Sequence, residues 1–332
     1  MKKCVFFHGK NNVNNLFDST PSKINLNQQW IELKKELYRF GIDLIPKELF
    51  DKKIPDLEIH LNAWSTNTNK RPKFLILYEC EYIHPENSNF KLLEKYNHIF
   101  SWNIKSINKC KATKIQWAHP LGEGIVDGYK NRDQLITLFG SNRSLKKWRP
   151  GRNLYNERVK TIRWFEKNAS KDFTLYGKKW NLTGRLPSSV GGLVHSLEKK
   201  IPFKYTAFPS WKGYVENKQN ILKKTRFSIV YENVKNLEGY ITEKIFDAFV
   251  EGNVPIYWGA KDIEDYIPKE CFIDRRKFND HEDLYKLLKN MPEEKFLNYQ
   301  KNIKNFLNYA SEKFTCTRFA KTISTKISEF IK

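Results

Sequence analysis

Four charged side chains fall where folded chains do chemistry. Glu243 and Lys244 stand where a polar loop after an apolar run gives way to a helical pattern. A helix N-terminus attracts phosphate through its unpaired amides and its dipole. A lysine at that place suits a phosphate ligand, and the same spacing also suits a solvated Glu–Lys pair on the surface. Glu79 directly follows the apolar run 74–78 in FLILYECEYIHPEN. A carboxylate at the carboxyl end of a strand can act as a general base when its pKa suits, although ordinary strand-end acids occupy the same place. Arg158, in NLYNERVKTIRWFEK, falls in the first turn of a helix expected over 157–168. A cation there opposes the helix dipole, so either an anion or solvent must answer it. Spacing alone leaves both readings open at each position.

These residues need elements to hold them. Residues 227–259, FSIVYENVKNLEGYITEKIFDAFVEGNVPIYWG, read as strand, loop, helix and strand, which is one βαβ unit. Ile241, Ile245, Phe246, Phe249 and Val250 fall on one helical face, directed at a sheet. Gly252 sits where a helix end takes a left-handed residue. Glu243 and Lys244 then lie off the apolar face, at the mouth between strand and helix. Open α/β sheets bind ligands at that mouth. Upstream, short apolar runs at 4–7, 42–45, 57–61, 74–78 and 99–102 read as strands, with a helix over 27–40. Alternation of this kind predicts an α/β unit with a mainly parallel sheet. The stretch 103–134 is basic and irregular, and 135–139 reads as one more strand of the first unit. The sequence SNRSLKKWRPGRN over 141–153 reads as the linker to a second unit. Residues 181–210 read as loop with one short helix, 272–274 as a last strand, and 281–332 as helical.

Composition narrows the class. At 332 residues the chain suits two domains, and 40% hydrophobic with 14% aromatic content supplies cores for both. The formal charge of +22 calls for an anionic partner: a phosphorylated sugar, nucleic acid or an anionic membrane face. The basic residues are spread along the chain, not gathered into a stripe with interleaved aromatics, which argues against nucleic acid. Five scattered cysteines form no CxxC pair, and the seven histidines show no ligand spacing, so neither a disulfide framework nor a zinc site is expected. No GxGxxG, GxxxxGK[ST] or HExxH motif is present. No apolar run reaches 18 residues, and the apolar run near the N-terminus is too short for a signal peptide. A cytoplasmic protein is expected, with peripheral contact to an anionic membrane through its charge.

The long pattern YENVKNLEGYITEKIFDAFVEGNVPIYWGAKDIEDYIP resembles the signature of the α-1,3/4-fucosyltransferases, glycosyltransferase family 10. CFIDRRKF after it, and ERVKTIRWFEK, LYGKKW and YECEYIHPENSNF before it, fit the same family in order. The resemblance covers roughly residues 74–318 and is strongest over 211–280. It implies a GT-B fold, two Rossmann-like domains facing a central cleft. The expected division is 1–145 for the acceptor-side domain, 146–318 for the GDP-fucose-binding domain, and 319–332 for a C-terminal helix packed back on the first domain. It further implies inverting transfer of L-fucose from GDP-fucose to a glycan acceptor, α-1,3 to an N-acetylglucosamine-containing oligosaccharide or lipopolysaccharide, with no metal and no cofactor. Carried over residue by residue, Glu79 matches the catalytic base and Glu243 the acid beside the fucose ring. Arg158 and Lys244 match pyrophosphate ligands, and Asn233 and Tyr240 match positions lining the donor site. Where the family often has Glu-Ser-Pro, this chain has Glu79-Cys80-Glu81, so Glu81 is the competing carboxylate; Glu79 stands six residues before Pro85. The alternatives are a GT-B transferase for another nucleotide sugar and a basic nucleic-acid-binding protein.

Overall fold

The computed structural model describes residues 1–8, 16–17, 24–51, 54–64, 71–103, 110–145, 151–180 and 208–331. The loop and short helix expected over 181–210 lie almost wholly outside the described residues.

Two parallel sheets carry the fold. The first holds β1 (Lys2–Phe7), β2 (Ile42–Pro46), β3 (Leu57–Leu61), β4 (Lys73–Leu77), β5 (His98–Ser101) and β6 (Ala112–Lys114). Its order is β2-β1-β3-β4-β5-β6. The second holds β7 (Gln134–Phe139), β8 (Phe173–Tyr176), β9 (Thr225–Tyr231), β10 (Val254–Trp258) and β11 (Ile273–Asp274), in the order β11-β10-β9-β7-β8. Every pairing is parallel. In each sheet the strand order reverses once, between β1 and β3 and between β7 and β9. Such switch points open a crevice beyond the carboxyl ends of the strands, the ordinary ligand site of doubly wound folds.

The helices are α1 (Ile24–Arg39), α2 (Phe90–Leu93), α3 (Leu154–Asn168), α4 (Gln219–Leu222), α5 (Glu243–Val250), α6 (His281–Lys289), α7 (Glu293–Tyr309) and α8 (Cys316–Ile331). Alternate residues of the second sheet face opposite layers, as strand geometry requires. Phe227, Ile229 and Tyr231 of β9 join a cluster with Leu154, Ile162 and Phe165 of α3. Val230, between them, packs with Ile245, Phe246 and Phe249 of α5. Both faces are covered, so the strands read as continuous apolar runs. Helix α8 runs back to the first sheet, where Phe319, Ile323 and Ile327 pack with Trp30, Leu33 and Leu37 of α1.

Two expectations are corrected. The strand at 134–139 does not close the first unit: β7 lies inside the second sheet, paired with β8 on one side and β9 on the other. The change of sheet therefore falls between Lys114 and Gln134, not at 145. The cause is burial on both faces, since Ile136 and Leu138 pack with α3 while Thr137 bonds Thr174 and Thr225. The described parts of the expected linker, 141–145 and 151–153, thus lie between β7 and α3 of the second unit. The second correction concerns Arg158. Helix α3 begins at Leu154, because Asn153 caps it by accepting from the Tyr155 amide. Arg158 falls past the first turn, and the dipole argument does not apply to it.

The irregular stretch 115–133 carries a structural hub, Arg132. Its side chain is fully buried; Nε bonds Asp127 Oδ1 at 2.8 Å, and the two amino groups donate to the carbonyls of Leu222, Thr225 and Glu251. Gly252 (φ +72°) is required beside it, since a Cβ there would lie 2.5 Å from Arg132 Nη2. Arg132→Met is expected to cost about 3 kcal/mol, because it removes the donor to the Glu251 carbonyl and leaves the Leu222 and Thr225 carbonyls to Asn253 alone and Asp127 to Gln300 alone. Urea unfolding measures this, and a midpoint equal to wild type would contradict the hub.

Candidate active site

A cavity of about 280 Å³ opens beyond the carboxyl ends of β7, β8 and β9. Its wall includes Gly140, Ser141 and Arg143 after β7, Gly177 and Lys178 after β8, and Asn233 and Tyr240 after β9. Helix α3 adds Tyr155 and Arg158, helix α5 adds Glu243 and Lys244, and the first unit adds Glu79 and Trp117. All six residues singled out in the sequence, namely Glu79, Arg158, Asn233, Tyr240, Glu243 and Lys244, line this one space. Glu81 does not line it. Gly177 (φ +137°) lets the chains after β7 and β8 close up, for a Cβ there would stand 1.8 Å from the Gly140 carbonyl oxygen.

Lys244 is held by an acid that the sequence did not single out. Glu232, fully buried just past β9, accepts from the Thr242 amide at 2.9 Å, the Thr242 hydroxyl at 2.8 Å and Lys244 Nζ at 3.1 Å. Thr242 is the N-cap of α5 but makes no side-chain cap bond of its own. A carboxylate from the neighbouring strand thus anchors both the start of the helix and its lysine. Gly259 makes room for it, since a Cβ there would lie 2.5 Å from Glu232 Cγ. Burial would lower the Lys244 pKa, but Glu232 and Glu243 outweigh it and raise it above its ordinary value. The Lys244 side chain keeps 21% of its surface open to the cavity.

Glu243 is surrounded by protein, yet 43% of its side chain opens on the cleft. Burial would raise its carboxyl, but Lys244, Lys218 and His119 prevail and hold it at about 2. It is therefore an anion at neutral pH. His119, stacked on Phe246 at 4.5 Å, is pushed down to about 4 by burial and is neutral.

Arg158 is buried. Its Nη2 donates to the carbonyls of Tyr231 at 2.6 Å and Glu232 at 2.8 Å, and to Asn233 Oδ1 at 3.1 Å. Desolvation lowers its pKa from the ordinary value. The arginine thus stitches α3 to the end of β9 while lining the cavity.

Glu79 comes from the opposite sheet, two residues beyond β4. Asn62 and Asn87 clamp its backbone: the Glu79 amide donates to Asn62 Oδ1 at 2.8 Å, and Asn87 Nδ2 donates to the Glu79 carbonyl at 2.7 Å and to Asn62 at 3.0 Å. Its carboxylate Oε2 accepts from the Tyr240 hydroxyl at 3.3 Å, a bond that crosses the cleft. Burial, reinforced by Glu243 and Glu232, raises its pKa against the pull of Lys244 and the Tyr240 hydroxyl. A carboxylate raised in this way is a better proton acceptor than an exposed one.

The arrangement offers several cations on one wall, an ionised carboxylate beside them, and a basic carboxylate facing both. It can hold an anionic leaving group, favour positive charge at a carbon next to it, and take a proton from an attacking hydroxyl. Among the described residues no group of three or more His, Cys, Asp or Glu side chains is placed to hold a metal ion.

Comparison with known proteins adds the following. The model for glycosyltransferase family 10 (fucosyltransferase) C-term matches residues 187–325. An alpha-(1,4)-fucosyltransferase of Arabidopsis thaliana is 31% identical over 110 residues, which is 32% of this chain and 26% of that protein. The matched segments span between 14% and 30% of the curated relatives. An alpha1,3-fucosyltransferase solved with GDP aligns over 98% of this chain and 89% of its own, at TM-score 0.50 and 13% identity. An alpha-glucosyltransferase in complex with UDP and DNA aligns over 99% of this chain and all of its own, at TM-score 0.58 and 11% identity. Likenesses at such identity show the fold alone, which is GT-B.

Proposed function

Because the chain belongs to glycosyltransferase family 10, the fucosyltransferases, we propose that it transfers L-fucose from GDP-fucose to a glycan hydroxyl with inversion at the anomeric carbon. The observation that carries this reading is the meeting of Glu79 with Tyr240, Glu243 and Lys244 in one cavity between the two sheets. Lys244 and Arg158 receive the pyrophosphate; the arginine can reach two oxygens and the lysine acts as a point charge. Their preorganised charge stabilises GDP as it leaves. Glu243, ionised, stands beside the sugar and favours its oxocarbenium character. Glu79 takes the acceptor's proton as the hydroxyl attacks from the opposite face, and the oxygen forms the new bond as the phosphate oxygen departs. No metal or cofactor is assigned to these steps. The favoured acceptor is an N-acetylglucosamine-containing oligosaccharide, joined α-1,3, made at the cytoplasmic side.

The experiment is transfer to N-acetyllactosamine, with the product's linkage and anomeric configuration read by NMR. An inverted α-fucoside on the 3-hydroxyl of N-acetylglucosamine is the expected product. A retained anomer, or no fucoside with any acceptor of a glycan array, would overturn the reading.

A further inference from the structure

The two walls of the cleft are joined by side chains whose hydroxyl and amide are committed to protein partners. Arg158 Nη2 donates to Asn233 Oδ1 at 3.1 Å. Asn233 Nδ2 donates to the Tyr240 hydroxyl at 3.3 Å. The Tyr240 hydroxyl donates to Glu79 Oε2 at 3.3 Å. The amide of Asn233 uses its acceptor toward one neighbour and a donor toward the next, so all three bonds point the same way. Tyr240 is fully buried, tilted against Trp102 at 5.1 Å and packed with Val234 and Leu237. Its ring has no other place to go. The strand and helix that carry Arg158 and Asn233 belong to the second sheet, and Glu79 belongs to the first.

We propose that Asn233 and Tyr240 form a hydrogen-bond relay from Arg158 to Glu79, which makes Tyr240 a positioning residue that holds the base toward the donor half of the cleft. This rests on the fucosyl-transfer reading and goes beyond it, since it gives Asn233 and Tyr240, besides their place in the cavity wall, an action on Glu79 through other side chains. An anion that draws the Arg158 guanidinium toward the cavity pulls on Asn233, and through it on the hydroxyl that steers Glu79. Occupancy of the donor site and readiness of the base are thereby linked. The charges that face Glu79 are Glu243 and Lys244 from α5 and Glu232 from the end of β9, with Tyr155 of α3 and Tyr78 nearby. Among them the Tyr240 hydroxyl is the donor in direct contact with the carboxylate among the described residues. A hydrogen bond to the ionised form favours that form. Its loss therefore raises the Glu79 pKa, and a base must be ionised to work.

The test is the pH dependence of GDP-fucose turnover by the full chain, with N-acetyllactosamine as acceptor and with water alone. Wild type, Tyr240→Phe and Asn233→Ala are compared. Tyr240→Phe keeps the packed ring and removes one oxygen. It is expected to lower kcat about tenfold and to move the acid limb upward by about one pH unit, with KM for GDP-fucose changed by less than about threefold. Asn233→Ala should move the limb the same way by less, because the direct Tyr240–Glu79 bond remains. An unmoved acid limb in Tyr240→Phe, or a loss expressed only in KM, overturns the relay. If wild type turns over no GDP-fucose, the fucosyl reading itself fails; an active wild type with an unmoved limb fails the relay alone.

Discussion

Glu79→Gln is expected to reduce fucosyl transfer by about 10²- to 10⁴-fold while GDP affinity stays within about twofold of wild type. The glutamine keeps the shape and can still accept from the Tyr240 hydroxyl, so the cleft is not disturbed. What it loses is the ability to accept a proton. The Glu79 carboxylate is on the first sheet, while the cations are on the second. Phosphate binding and proton removal are therefore separable by mutation. Glu81→Gln, two residues on and outside the cavity wall, should retain activity. Steady-state transfer and GDP calorimetry on both variants decide the matter. Full activity in Glu79→Gln with loss in Glu81→Gln would reverse the assignment.

Lys244→Ala is expected to weaken GDP binding by about 10²-fold or more, through loss of a charge-assisted contact to phosphate. It should also destabilise the fold by about 3 kcal/mol, because Glu232 is left buried without its cation. The two effects have different sources and can be parted. Glu232→Gln removes the buried charge but keeps an acceptor for the Thr242 amide and hydroxyl. In the double variant Glu232→Gln with Lys244→Ala, much of the stability should return while GDP affinity stays low. Recovery of both together would mean that Lys244 serves only to neutralise Glu232.

Much of this site can be read from residues 227–259. The apolar face of α5, the turn at Gly252 and the strand at 254–258 are local patterns, and they put Lys244 at the mouth of a parallel sheet without any distant contact. Glu79 is legible in the same way, as the acid beyond an apolar strand. What local pattern cannot carry is partnership. Glu232 opens a polar loop, and nothing in its neighbours distinguishes a fully buried carboxylate from a solvated one. Its burial depends on Lys244, twelve residues on, and on the missing side chain at Gly259. Asn62 and Asn87 lie 25 residues apart and meet only once β3 and β4 are paired. Arg132 lies in the stretch that reads as basic and irregular, and its carbonyl acceptors come from residues 222–225 and 251, some 90 or more residues on. The strand β7 shows the same limit: six apolar-rich residues declare a strand but not which sheet will take it. Helix α3 starts early because one asparagine caps it, and that single bond moves Arg158 from a helix end to the interior.

On the proposed function, the cations of the second sheet and the carboxylate of the first form one site for GDP-fucose. The most direct test of that reading is sugar release from a donor panel, GDP-fucose, GDP-mannose, UDP-glucose and UDP-galactose, each incubated with the full chain and N-acetyllactosamine. Turnover confined to GDP-fucose, and lost in Glu79→Gln, is the predicted result. Turnover of a different donor with GDP-fucose untouched would contradict it.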